Sequence, residues 1–232
     1  MLQYINCKTG WQHSSVSHLK KKIARILHIK ETDFLEFHIT KKSLDARRKP
    51  DLVYLYSVTF SVAEEEKLLR TNRKNKNLSV AKEQPSLWHK ISEAKRKDRV
   101  IIVGAGPAGL FCAYYLSLCG LKPVILEQGA PVEERVREVE KFWEKEILSP
   151  DSNISFGEGG AGTFSDGKLN TGVKDKTGKK QFVLESFVRF GAPENILYDS
   201  KPHIGTDILQ KVVINMRKEM IQRGCEFHFH TK

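Results

Sequence analysis

Residues 99–129, RVIIVGAGPAGLFCAYYLSLCGLKPVILEQG, decide the fold class. Val100 to Val103 is a short unbroken apolar run, the kind a strand needs when it is buried on both faces. A helix is expected from Pro107 to about Leu118, closed by Gly120, and Pro123 to Glu127 supplies a second buried strand. Strand, helix and strand in that order make a βαβ unit. They predict an α/β fold, a Rossmann-like FAD/NAD(P)-binding domain with a parallel sheet.

Within this stretch Gly104, Gly106 and Gly109 stand at G-x-G-x-x-G spacing. The first allows the tight turn out of the strand, the second lets a pyrophosphate approach the backbone, and the third lets the helix pack closely on the strand. Pro107 and Ala108 complete the turn, and the N–H groups that follow point at the phosphates with the positive helix end behind them. Glu127 ends the second strand 23 residues after Gly104, where a carboxylate accepts hydrogen bonds from adenosine-ribose hydroxyls and repels a 2′-phosphate. Gln128 follows it. These features point to a bound ADP moiety, which FAD and NAD share.

The next segments bear on that choice. Residues 131–148 read as a charged amphipathic helix with Val132, Val136, Val139 and Trp143 along one stripe. The run FGEGGAGTFSDGKL, residues 156–169, then places Gly157, Gly159, Gly160, Gly162 and Gly167 within eleven residues. Such a loop leaves backbone N–H groups available to an anionic or heteroaromatic ligand. An NAD dehydrogenase would ordinarily run into another βα unit here, so the loop favours FAD. Helices are expected over roughly 179–190 and from Asp207 to Arg223, the second burying Ile208, Val212, Met216 and Met220. A strand is expected over Cys225–Thr231.

Before the fingerprint lies a smaller region. Val16, Leu19, Ile23, Ile26 and Leu27 recur at helical spacing, giving a helix over 15–28 with Ser14 or Ser15 as cap. Phe34–Thr40 and Leu52–Val62 are rich in β-branched and aromatic residues and read as strands. The expected organisation is a small basic α+β domain over 1–62, a polar linker over 63–98, and an FAD-binding domain over 99–232 that continues beyond the chain end.

Charge divides the chain in the same way. Residues 1–98 hold 21 Lys/Arg against 11 Asp/Glu, and residues 99–232 hold 18 against 17. A basic excess can attract nucleic acid. The stretch lacks the aromatic interleaving of single-strand binders, so a nucleic-acid-associated module is the weaker alternative and a solvated lysine-rich surface the preferred one. Cys7, Cys112, Cys119 and Cys225 form no C-x-x-C pair and read as small core residues; no metal-ligand spacing occurs. No signal peptide opens the chain and no apolar run approaches the ~20 residues of a membrane span, so a cytoplasmic location is expected.

Taken together, IIVGAGPAGLFCAYYL, VILEQG, EERVREVEKFW, NISFGEGGAGTFSDGKLNT and KPHIGTD resemble a bacterial family of FAD-dependent dehydrogenases similar to the glutathione-reductase-like flavoproteins. HITKKSLDARRKPDLVYLYSV resembles that family's N-terminal α+β domain. The resemblance puts Gly104, Gly106, Pro107, Ala108, Gly109, Glu127 and Gln128 on the ADP moiety. It puts Gly159, Gly160, Ala161, Gly162, Thr163 and Ser165 near the pyrophosphate or flavin. It makes Arg135 a candidate for the pyrophosphate, an alternative to a solvated charge on the helix face. It also implies an oxidoreductase with FAD as cofactor and NAD(P)H as a possible electron donor; the substrate and catalytic residues stay unassigned, and His203 is the one histidine to watch. The chain departs from such flavoproteins at Gln128, where arginine is common. It also lacks the family's substrate domain and C-terminal Gly-Asp segment, so residues 1–232 alone are expected to hold FAD weakly.

Overall fold

The computed structural model describes residues 1–12, 15–48, 50–83, 85–95, 98–169 and 171–232. These form two compact units, Met1–Gln84 with Leu197–Pro202, and Pro85–Ile196 with His203–Lys232.

The first unit is an antiparallel sheet with two helices. Strands β1 (Leu2–Gly10), β2 (Phe34–Asp45), β3 (Val53–Val62) and β4 (Leu78–Val80) lie in the order β2-β3-β1-β4. Helix α1 (Val16–Leu27) is capped by Ser15, whose hydroxyl accepts the His18 N–H; Ser14 lies outside the described residues. Leu19, Ile23 and Leu27 of α1 are buried with Tyr56, Val58 and Phe60, the alternate residues of β3. Strand β1 changes phase midway. A bulge at Asn6, in the left-handed backbone region, shifts the register so that Leu2 and Tyr4 before it and Cys7 and Thr9 after it are all buried.

Two expectations need correcting here. Residues 63–98 are not linker throughout, since they carry helix α2 (Glu65–Thr71) and β4, which pairs with β1. Leu68 and Leu78, isolated apolar residues in a polar stretch, fall into the core and hold these elements down. Strand β2 also runs to Asp45, through the basic KKSLD stretch expected to lie between strands. At Lys42 its backbone is met by a late segment: the Lys42 N–H donates to the Tyr198 carbonyl at 2.7 Å, and the Ser200 N–H donates to the Lys42 carbonyl at 2.9 Å.

The second unit contains a three-stranded parallel sheet, β5 (Ile101–Val103), β6 (Val124–Leu126) and β7 (Glu226–His228), in that order. Helix α3 (Pro107–Leu118) joins β5 to β6, and α4 (Val132–Lys145), α5 (Lys179–Arg189) and α6 (Thr206–Gln222) follow β6. Residues 85–95, read as linker, pack down here. Trp88 lies 4.5 Å from Phe182 between ring centroids and donates to Glu185 at 2.6 Å, and the Ala94 N–H donates to the Cys119 carbonyl.

Strand β5 is not buried on both faces. Ile102 faces Gly109 of α3, but Ile101 and Val103 on the other face are 60% and 85% exposed. The strand stands at a sheet edge with its helix on one side only, and an apolar run cannot by itself say which faces are covered. Trp143 is likewise 62% exposed. The inward stripe of α4 runs through Val132, Arg135 and Val139, and Trp143, expected on the same stripe, lies off it.

Candidate dinucleotide-binding site

The site begins where β5 turns into α3. Gly104 takes a left-handed backbone (φ +96°), and its N–H continues the ladder by donating to the Leu126 carbonyl at 2.7 Å. A Cβ at Gly104 or Gly106 would meet nothing within 4 Å, so neither glycine is required by internal packing. At Gly109 a Cβ would run into the Gly104 carbonyl, which makes this glycine the close-packing position of the unit. No side chain caps α3 at Gly106, and Pro107 stands at the first helical position. The first-turn N–H groups therefore have no intrahelical acceptor and, with the helix dipole, present positive potential to the space over Gly106. Pro107 and Ala108 are exposed beside that space.

Glu127 stands just past the end of β6 and is buried. One carboxylate oxygen accepts the Ala105 N–H at 2.6 Å and the other the Gly129 N–H at 2.9 Å. These bonds fix the carboxylate beside the fingerprint turn while each oxygen keeps further acceptor capacity. Gln128, next to it, is exposed.

The loop of residues 156–169 lies against this turn. The Gly159 N–H donates to the Ala105 carbonyl at 2.8 Å, and a Cβ on Gly160 would come within 3.0 Å of the Pro107 ring. The two glycine-dense stretches singled out in the sequence are thus neighbours in space. Ala161 and Gly162 are exposed, Thr163 is buried, and Ser165 is exposed with its hydroxyl donating to the Gly162 carbonyl. The loop donates more of its N–H groups internally than its composition suggested: those of Glu158, Gly159, Gly160, Thr163 and Ser165 all go to carbonyls of this unit. The Thr163 hydroxyl has no hydrogen-bond partner among the described residues.

Arg135 explains the shape of the loop. Its side chain is 0% exposed and all three guanidinium nitrogens donate to carbonyls. Nε donates to Asn153, Nη2 to Ile154, and Nη1 to Glu158 and Gly160 at 2.7 and 2.8 Å. The Phe164 ring covers it at 4.7 Å. Burial pulls its pKa down to about 10, partly offset by Glu127, Glu158 and Glu138, so it remains a cation at neutral pH. Of the two roles weighed for Arg135, the solvated charge is excluded by this burial, and its nitrogens are engaged with the loop backbone.

Three residues escaped the sequence reading. Glu158 is fully buried inside the glycine run and accepts the Val132 N–H at 2.9 Å. Arg217 on α6 lies 3.3 Å from Glu158 and also grips Glu133 with two contacts of 2.6 and 2.7 Å. The Ser152 hydroxyl accepts the Ala130 N–H. For Arg135, which the sequence did single out, the signal of burial was positional: it falls three residues after Val132 and four before Val139, on the apolar stripe of α4. His203 is exposed, and its backbone pairs with Lys168.

The comparisons accord with this geometry. Residues 102–132 match the family described as an NAD(P)-binding Rossmann-like domain, and residues 1–61 match a domain of unknown function (DUF8436). The chain is 42% identical over 214 residues to a protein of Clostridium beijerinckii (strain ATCC 51743 / NCIMB 8052) described as an uncharacterized protein. That alignment covers 92% of this chain and 40% of the relative, so the chain spans less than half the length of the curated relative it matches. Among the described residues no helix is long and apolar enough to cross a membrane, and no cluster of three or more His, Cys, Asp or Glu could hold a metal. Fingerprint spacing, parallel β5-β6 pairing and the family match agree that residues 102–132 are a Rossmann-like dinucleotide-binding unit.

Proposed function

We propose that the protein is an FAD-dependent oxidoreductase whose second unit holds the ADP half of the flavin. One observation carries this reading: the space over Gly104 and Gly106 is open, bordered by the uncapped start of α3, and backed by a second glycine-rich segment at Gly159–Gly160. A pyrophosphate fits the first two features in any dinucleotide. The third supplies a further wall, which a flavin's larger reactive half needs.

In this reading the first-turn N–H groups of α3 bind the pyrophosphate, and Glu127 accepts the ribose hydroxyls while holding the Ala105 turn. Arg135 acts through the loop, keeping residues 153–160 folded so that Gly160 stays beside Pro107. Bound flavin supplies two-electron redox chemistry, with NAD(P)H as the candidate donor, while the chain sets position and electrostatics. Cys7 and Cys225 are buried and their thiols are pushed up from the ordinary range, Cys225 to about 11, so neither is set up as a redox thiolate.

The family description of residues 102–132 favours a second reading, an NAD-dependent dehydrogenase. Purification followed by a visible absorbance spectrum, and then titration with FAD and with NAD, tests both. Flavin absorbance or saturable FAD binding supports the first. Binding of NAD with no response to FAD overturns it in favour of the second.

A further inference from the structure

Glu158 is a buried acid in the middle of a glycine run, and its backbone and side chain point to different anchors. Its N–H donates to the Ala130 carbonyl at 3.2 Å, and its own carbonyl accepts Arg135 Nη1. One carboxylate oxygen accepts the Val132 N–H, serving as a cap in trans for α4, whose N-terminal Pro131 offers no side-chain cap. The other lies 3.3 Å from Arg217 Nε. The two attract as ions but lie outside hydrogen-bond geometry, and neither atom has another hydrogen-bond partner among the described residues. The next residue is Gly159, whose N–H bonds Ala105 in the fingerprint turn.

We infer that Glu158 and Arg217 are positioning residues for the dinucleotide site, their buried ion pair holding residues 157–160 against the Ala105–Pro107 turn. The inference rests on the dinucleotide-binding reading above and adds a condition to it. Setting the loop buries the Glu158 carboxyl beside Arg217, and opening it returns the carboxyl to water. The set loop therefore holds a proton more tightly than the open one, so protonation favours the set loop and Arg217 is what retains the ionised form there.

The environment brings this titration into the neutral range. Burial pushes the Glu158 carboxyl up to about 7, against the opposing pull of Arg217 and the Val132 N–H and with smaller upward pushes from Glu133 on α4 and Glu127 at the end of β6. Arg135, the remaining charge against the loop, faces its carbonyls. Because binding needs the set loop, dinucleotide affinity falls as pH rises through this value, and binding takes up a proton by linkage.

The test uses the full chain with FAD and, in parallel, ADP as probes, titrated calorimetrically at pH 6, 7 and 8 in two buffers of different ionisation enthalpy. The expected result is affinity about tenfold weaker at pH 8 than at pH 6, with proton uptake near pH 7. Glu158→Gln should bind without pH dependence and take up no proton, while Glu158→Asp should restore part of the pH dependence. Circular dichroism melts confirm that the variants are folded. Hydrogen exchange of residues 153–160 gives a ligand-independent readout, with loop protection in the wild type rising from pH 8 to pH 6 and protection in Glu158→Gln flat. Wild type and Glu158→Gln with the same affinity and pH profile would overturn the inference alone. Failure of the wild type to bind either probe at any pH would overturn the functional reading, and this inference with it.

Discussion

At the fingerprint turn, Gly104 and Gly106 look onto open space, whereas most glycines of the facing loop are hemmed in by atoms of the protein. A Cβ on Gly157 would meet the Arg135 side chain, one on Gly159 the Thr163 side chain, and one on Gly167 the Ile204 backbone. One stretch leaves open space where its glycine side chains would stand, and the other uses most of its glycines to wrap a buried arginine and seat a turn. Glycine density alone therefore does not say whether a backbone is open or packed; what lies where each Cβ would be does.

The comparison breaks most sharply at Arg135. Arg135→Met should cost the fold about 3–5 kcal/mol, because several buried carbonyls lose their donor at once. Denaturant unfolding measures this, and a loss under 1 kcal/mol would mean the loop holds its shape without the guanidinium.

Next in size is a pH effect on stability at Glu158. Its carboxyl titrates at about 7 in the folded chain against an ordinary value of 4.5. Between those values the folded state binds more proton than the unfolded state, so wild-type stability should fall as pH rises through that window. The difference is roughly 3 kcal/mol when fully developed above pH 7. Glu158→Gln should lack this component, and parallel wild-type and variant curves from pH 4.5 to 8 would contradict it. A carboxylate kept where it weakens the fold at neutral pH fits a role in setting the site rather than in stability.

The glycines themselves sharpen the contrast. Gly157→Ala should destabilise by about 1–3 kcal/mol, through the clash with Arg135 and a backbone at φ +116° that side chains rarely adopt. Gly106→Val should change stability by no more than about 0.5 kcal/mol, since its backbone is extended and its Cβ direction is empty. It should nonetheless abolish FAD and NAD binding. A Gly106→Val variant that binds as well as wild type would place the phosphates elsewhere.

Much of the second unit was legible because its signals are local. The fingerprint spacing located the β5-α3-β6 unit within a residue or two, and the helices expected over roughly 179–190 and Asp207 to Arg223 coincide with α5 and α6 within a residue. In the first unit α1 and β3 followed their periodicity, but β1 did not. Its alternation breaks at Asn6, because a bulge inserts one residue and moves the buried set from even to odd positions. Helix α2 and β4 were hidden for a different reason. Each is short and polar, and tertiary packing around Leu68 and Leu78 fixes it where propensity does not.

The sequence by itself determined the βαβ unit, the acid at Glu127 and the division between a basic first region and a near-neutral second one, since these depend on spacing and composition along the chain. Only the tertiary structure decided that Arg135 is buried in loop carbonyls, that Glu158 faces Arg217 across some sixty residues, and that Leu197–Pro202 returns to the edge of β2. The physical reason is that a charge reads as solvated unless the chain brings enough donors or acceptors around it to replace water. That replacement is assembled from residues far apart in sequence, so no local pattern announces it.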